Sequence, residues 1–280
     1  DSRDKLEVVN DLRKMGEHAV PMVSPNIILF NYMERVKARA YDFTPLSGVP
    51  NSKTVFCNES GNYSIYKSDR YGFNNDDKAY EKNIQILMLG DSYTQGACVQ
   101  EGEDVASRLR GWGYNTISTG MAGSGPLLEL ATLREYGAHL RPKIILLLYY
   151  GGNDLENLIM EYNQPLLKKY LDPNFSQNLF YRQPEINEFL SNFLSSHEKA
   201  YFLVTLKNYI TLYNLRSFFK ISGNTRHEEP SSILPHFRDV LEKILQESEK
   251  LGAQLFFIHL AELDDLTENS NPRKRKEVLS

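Results

Sequence analysis

The 280-residue sequence has little cysteine and no long apolar run. Its two cysteines, Cys57 and Cys98, form no CxxC or Cys/His spacing, so no metal site is indicated, and a single disulfide stays open. No stretch approaches the roughly 18–20 apolar residues that span a bilayer, so we expect no membrane span. The opening residues DSRDKLEVVNDLRKMG are too charged for a signal peptide.

Positive charge is also in short supply. Lysine and arginine number 32 against 36 acidic residues, a formal net charge of -4, so nucleic acid is not an expected partner. The phosphate-binding loops GxGxxG and GxxxxGK[ST] are absent, which argues against a nucleotide or flavin. We therefore expect no cofactor and a small-molecule partner. The chain does not begin with Met, which leaves a removed N-terminal anchor or signal open. The location is also left open, with an extracytoplasmic or cell-envelope one favoured over a cytoplasmic one.

Length and an apolar fraction of 41% predict one large globular domain with an extension. Residues 1–78 form the predicted N-terminal extension. Val8, Val9 and Leu12 recur there with helical spacing, and a hairpin is predicted around the turn NESGN. Residues 79–280 form the predicted main domain.

From residue 84 the pattern alternates between strands and helices. Four short apolar runs, 84–90, 114–120, 143–150 and 253–260, are predicted strands, and one of the intervening helices begins at Pro126. Such alternation predicts an α/β fold, a doubly wound parallel sheet with helices on both faces. An aromatic-rich, helical insertion is expected over 155–225.

Small polar motifs follow three successive predicted strands. They are GDSY ending at Tyr93, STGMAGSGP over 118–126, and GGND ending at Asp154. A serine at a helix start suits a nucleophile, closely spaced glycines leave N–H donors free, and an asparagine amide can donate. Each motif alone is also an ordinary turn sequence. Their position at three strand ends predicts one site at that edge of the sheet.

ILMLGDSYTQG, STGMAGSG and YYGGND together resemble the blocks of the SGNH, or GDSL, hydrolases, over about residues 84 to 260. The resemblance implies a flavodoxin-like three-layer α/β/α catalytic domain. It implies that Ser92 is the nucleophile and that its backbone N–H also serves the oxyanion hole. Gly123 would be the second donor, with Gly120 as the open alternative, and Asn153 would be the third.

What this resemblance implies is acyl-ester chemistry, as an esterase, lipase, thioesterase or O-acyl transferase acting on a carbohydrate or other small ester. Asp91, Tyr93, Gly120 and Asp154 lie in the same loops and are candidate substrate-binding residues. We also expect Asp91 and Asp154 to orient these loops by accepting backbone N–H bonds.

The sequence departs from the family in its last block. The family supplies its base as D-x-x-H, and no histidine here has an aspartate three residues before it. His259, at a predicted strand end, is the one substitute, although a structural role is favoured for it. We therefore expect either that a C-terminal segment is missing or that the chain is a non-catalytic ligand-binding module on the same scaffold.

Overall fold

The structure is a computed structural model that describes residues 1–29, 41–210 and 232–261. Side chains of residues 197–210 lie outside the description. The predicted insertion contains several aromatic residues after position 200. Their side chains are therefore outside the part of the protein that the structure describes.

The N-terminal part is a small sheet with one helix against it. Helix α1 (Lys5–Lys14) is followed by β1 (Ala19–Pro21), the short α2 (Pro25–Ile27), β2 (Lys53–Val55) and β3 (Ile65–Lys67). Strands β1 and β2 are parallel, whereas β2 and β3 are antiparallel across the NESGN turn.

Helix α1 begins where its sequence provides a capping box. The Asp4 carboxylate accepts the Glu7 N–H at 2.8 Å, and the Glu7 carboxylate accepts the Asp4 N–H at 2.8 Å. Val8 and Val9 are buried against the small sheet, as their spacing predicts.

The main sheet has four parallel strands in the described chain. They are β4 (Ile86–Leu89), β5 (Thr116–Ser118), β6 (Ile144–Tyr150) and β7 (Gln254–Leu260), in the order β5-β4-β6-β7. All four fall within the predicted runs. Because the chain places β5 on one side of β4 and β6 on the other, the strand order reverses between β4 and β6.

Helices connect these strands, and the helix predicted to begin at Pro126 does so. A π turn (Leu133–Gly137) continues it into the next short helix. The helices of this region are α3 (Ser92–Gln95), α4 (Val105–Gly111), α5 (Pro126–Thr132), α6 (Ala138–Leu140), α7 (Asp154–Tyr162), α8 (Pro165–Lys168), α9 (Gln183–Ile210) and α10 (Leu234–Lys250).

Helices cover both faces of the main sheet around β4 and β6, whereas the edge strand β7 has exposed apolar side chains. Leu87 and Leu147 point into the large core shared with α5 and α10, whereas Met88 and Leu148 pack with Ala106 of α4 on the other face. The fold is thus a mixed α/β structure with a parallel sheet flanked by helices. Its assignment to the SGNH three-layer type stays a prediction.

The N-terminal part and the main sheet are tightly joined. Val20, Phe43 and Phe73 belong to the large core, and Cys57 and Cys98 form a disulfide with a Cα–Cα distance of 5.3 Å. The bridge ties the hairpin to the segment that follows α3. The division into two units at residue 78 stays a prediction. No helix of the described ranges is both long and apolar enough to cross a membrane.

Candidate functional site

The three polar motifs follow the carboxyl ends of β4, β5 and β6, around the point where the strand order reverses. In open α/β sheets this is the position where ligands bind. Gly90 lies at its centre. Its carbonyl accepts the Met121 N–H at 3.3 Å, and a Cβ there would lie 3.0 Å from the Leu148 carbonyl and overlap the Thr94 hydroxyl. A glycine is needed at position 90 because three segments approach one another closely there and because the backbone φ is +151°.

Asp91 fixes the turn that presents Ser92. Its buried carboxylate caps α3 by accepting the Tyr93 N–H at 2.9 Å, and Ser92 Oγ lies 3.4 Å from its second oxygen. Burial raises the pKa of Asp91, whereas hydrogen bonds from Tyr93, Asn153 and Ser92 oppose the rise. The half-buried Ser92 hydroxyl is therefore held at a helix N-terminus beside a carboxylate.

The β6–α7 turn brings Asn153 to the same carboxylate. The Asn153 side chain lies beside Asp91 and lowers the pKa of its carboxyl, and its own Oδ1 is buried without a partner in the described chain. The neighbouring Asp154 carboxylate accepts the Tyr150 N–H at 2.7 Å and so closes the turn. Ser92 and Asn153, separated by 60 residues in the chain, thus meet at Asp91.

The glycines of the 118–126 loop have different surroundings. Gly120 is buried against α3, where a Cβ would lie 2.5 Å from Thr94 Cβ, and its N–H donates to Ser118 Oγ at 3.4 Å. Gly123 has a φ of +78°, and its carbonyl accepts a hydrogen bond from Asn26 Nδ2. Its N–H has no acceptor in the described ranges. Close packing explains Gly120, whereas Gly123 keeps a free donor.

The candidate substrate-binding residues differ in exposure. Asp91, Gly120 and Asp154 are buried, whereas Tyr93 is 51% exposed. The Tyr93 ring lies 4.7 Å from the Tyr150 ring, so two tyrosines form a rim beside Ser92. As expected, both aspartates accept backbone N–H bonds from their own loops.

Two buried glutamates beneath this site were not foreseen. Glu161 accepts the N–H groups of Gly125, Leu127 and Leu128 at 2.5, 3.0 and 3.3 Å, and so caps α5 in place of a side chain at its N-cap glycine. Glu129 lies in the core with one oxygen unpartnered in the described chain. The signal for Glu129 was a single acid inside the otherwise apolar run PLLELAT.

These acids have raised pKa values. Burial raises the pKa of Asp154 to about 8, with a further contribution from the charge of Asp91. Burial also raises the pKa of Glu161 to about 8, against the effect of its three N–H donors. Burial, followed by the charges of Asp154, Glu161 and Asp91, raises the pKa of Glu129 well above its ordinary value.

His259 lies in β7 opposite Tyr149, and its ring stacks on the Tyr149 ring at 5.7 Å. Among the side chains of residues 1–29, 41–196 and 232–261, no histidine forms a hydrogen bond with Ser92. No group of three or more His, Cys, Asp or Glu in the described ranges is arranged to hold a metal ion.

No protein-family model matches the sequence, and no curated protein matches it. Among solved structures, the chain is similar to a mutant of Esterase AlinE4, with 17% sequence identity and a TM-score of 0.24. The match covers 61% of this chain and 95% of that chain. A similarity of this size does not establish a common fold, so the assignment of function depends on this chain's own residues.

Proposed function

We propose that the protein is an SGNH-like serine hydrolase or acyl transferase that acts on an ester through Ser92. The observation that carries the proposal is the meeting of Ser92 and Asn153 at Asp91, where the strand order reverses. A rim of the exposed Tyr93 and the partly buried Tyr150 offers a surface for the substrate. The order of the three sequence motifs supports the same class of enzyme.

In this proposal Ser92 Oγ attacks the ester carbonyl carbon, and the carbonyl oxygen becomes an oxyanion. Asn153 Nδ2 and the free N–H of Gly123, together with the Ser92 N–H, are the proposed donors to that oxygen. Collapse of the intermediate expels the alcohol and leaves an acyl group on Ser92, which water or an acceptor hydroxyl then removes. Donors already fixed by the fold stabilise the oxyanion without reorganisation.

The Ser92 proton needs an acceptor. The resemblance assigns this task to a histidine of a D-x-x-H block, whereas the group that faces Ser92 Oγ here is Asp91, 3.4 Å away. A proton can pass to that carboxylate only while it is ionised. Burial opposes that state by raising the pKa of Asp91, whereas hydrogen bonds from Tyr93 and Ser92 and the neighbouring Asn153 amide offset part of the rise.

A second candidate function follows from the same observation. Because no described histidine contacts Ser92, a site that binds an acyl ester or glycan without cleaving it would have the same donors. In this candidate the tyrosine rim and Asn153 hold the ligand, and Ser92 only hydrogen-bonds to it.

Covalent labelling separates the two candidates. The protein is treated with a fluorophosphonate, digested and mapped, and p-nitrophenyl acetate hydrolysis is measured in parallel. We expect the label on Ser92, and a loss of about 10³-fold or more in hydrolysis for Ser92→Ala. Asn153→Ala is expected to cost about 10²-fold or more.

Ser60→Ala, at an exposed turn of the hairpin, is the matched control and should keep full activity. Hydrolysis that survives Ser92→Ala at the level of the unmodified protein contradicts the assignment of the nucleophile. Absence of both label and hydrolysis, with retained binding of an ester, supports the ligand-binding module.

A further inference from the structure

A cavity lies at the opposite edge of the main sheet from Ser92. It has a volume of about 430 Å³, within the size range of small-molecule sites. Lys82 and Ile84 precede β4, and Arg141 and Lys143 precede β6, so the cavity opens at the amino ends of these strands. At about 3.3 Å per strand residue, it lies on the order of 20 Å from Ser92.

The charges that line this cavity have one sign. Its lining includes Arg70, Lys82, Arg141 and Lys143 but no aspartate or glutamate. Arg70 is neutralised by a bidentate pair with Asp77, at 2.9 and 2.7 Å. The other three cations are exposed and have no ion pair within the described ranges. In a chain of net charge -4, this is a local concentration of positive charge.

Helix ends account for the positions of two of these three cations. Lys82 follows the 3₁₀ turn Asp77–Glu81 and Arg141 follows α6, and a cation is favourable at both helix ends. Lys143 has no such explanation. Three cations around one depression also repel each other, which an anion bound between them would relieve.

One wall of the cavity is aromatic. The Phe180 ring is stacked between Tyr71, at 4.9 Å, and His139, at 4.0 Å, and Tyr80 contacts Tyr71 at 5.2 Å. Burial lowers the pKa of His139, which favours its neutral ring. The wall therefore offers ring faces and edges rather than additional charge.

We propose that this cavity binds a small anion that carries a ring, such as a phosphorylated or carboxylated ring compound. Lys82, Arg141 and Lys143 would hold the phosphate or carboxylate, and the Tyr71–Phe180–His139 wall would pack against the ring. The site is independent of Ser92, because it lies at the other edge of the sheet and shares no lining residue with the loops of the first site.

Calorimetric titration of the whole protein with phenyl phosphate tests the proposal, with inorganic phosphate as the probe that lacks a ring. We expect saturable binding of phenyl phosphate that is tighter than that of inorganic phosphate and weakens with salt. Arg141→Glu combined with Lys143→Glu should weaken it about tenfold or more, and Lys82→Glu alone should weaken it less.

Lys168→Glu, an exposed lysine on α8, serves as the matched charge control and should bind as the unmodified protein does. Ser92→Ala should also leave the titration unchanged. Absence of saturable binding, binding that the reversed charges do not weaken, or binding that requires Ser92 would each overturn the proposal. Thermal melting verifies that each variant is folded.

Discussion

Glu129 and Glu135 lie less than two turns apart on one helical stretch, and both carboxyls are buried, with 3% and 2% of their surface exposed. Their surroundings differ completely. Glu135 accepts hydrogen bonds at both oxygens, whereas one oxygen of Glu129 has no partner in the described chain. Glu135 thus stabilises the structure through its hydrogen bonds, whereas Glu129 is buried without a full set of hydrogen-bond partners.

Glu135 organises the segment that follows α8. Its carboxylate accepts the Tyr170 hydroxyl at 2.6 Å and the N–H groups of Gln177 and Leu179 at 2.6 and 2.8 Å. Ser176 donates a fourth bond at 3.0 Å. An irregular loop with buried backbone needs such acceptors, and one glutamate side chain supplies them all.

Glu129 instead belongs to the group of acids beneath Ser92. Burial raises the pKa of Glu129, and the charges of Asp154, Glu161 and Asp91 raise it further. Packing several acids under one loop cluster is unfavourable when they are ionised. Glu129 is therefore an under-satisfied carboxyl beneath the candidate site, whereas Glu161 in the same group and Glu135 farther away accept hydrogen bonds at both oxygens.

The largest expected effect is on Glu135. Glu135→Gln replaces one carboxylate oxygen with an NH₂ group, which must face at least one of the present N–H or O–H donors. We expect a loss of about 3 kcal/mol in the free energy of unfolding, measured by urea denaturation. Glu156→Gln, an exposed glutamate of α7, is the control. A loss below about 1 kcal/mol would contradict the structural role of Glu135.

The next effect depends on pH and concerns Asp154. Its folded pKa of about 8 lies above the unfolded value of about 3.9, so the folded state retains a proton that the unfolded state releases. The stability contributed by this group is fully present below the unfolded pKa and is lost as the pH rises through about 8.

Asp154→Asn keeps an acceptor for the Tyr150 N–H and cannot ionise. Relative to the unmodified protein, we expect this variant to gain about 1–3 kcal/mol in unfolding free energy between pH 5 and pH 8. Other buried acids titrate in both proteins, so the difference between the two curves reports Asp154 together with its effect on the pKa of Glu129. Asp239→Asn, at a partly exposed position of α10, is the control for the loss of an aspartate. A difference that stays flat for Asp154→Asn would contradict its raised pKa.

The smallest effect is expected at Glu129. Gln has the same shape as Glu and carries no charge, and at pH 5 an unfolded glutamate, with a pKa of about 4.3, gains little free energy by ionising. Glu129→Gln should therefore leave the unfolding free energy at pH 5 within about 1 kcal/mol of the unmodified value, with any change a gain. Urea denaturation at pH 5 measures it. A loss as large as that of Glu135→Gln would show that the two glutamates are equivalent and would remove the contrast between them.

Local sequence was sufficient to predict the strands of the main sheet and the positions of the candidate loops. The four strands of the main sheet, the helix start at Pro126 and the loops that contain Ser92, Gly123 and Asn153 could all be predicted, because periodicity and turn residues act over a few neighbours. The sequence also supplied just two cysteines, so an internal disulfide had one pairing available.

Other features of the site could not be predicted in this way. Three features depend on residues that the strand order brings together. They are the packing of Gly120 on Thr94, the capping of α5 by Glu161, and the cations around the cavity at the amino ends of β4 and β6. Glu161 in isolation is an ordinary helix acid, and only its tertiary position beneath α5 gives it three N–H donors.

The amino-acid sequence by itself determined where strands, helices and polar loops lie along this chain, since backbone propensity and apolar spacing are local properties. Tertiary structure alone decided that Ser92 and Asn153 share the Asp91 carboxylate, and that one buried glutamate is fully hydrogen-bonded while another is not. Burial and hydrogen-bond partnership are set by segments distant in the chain, so they exist only once the sheet and its helices have packed.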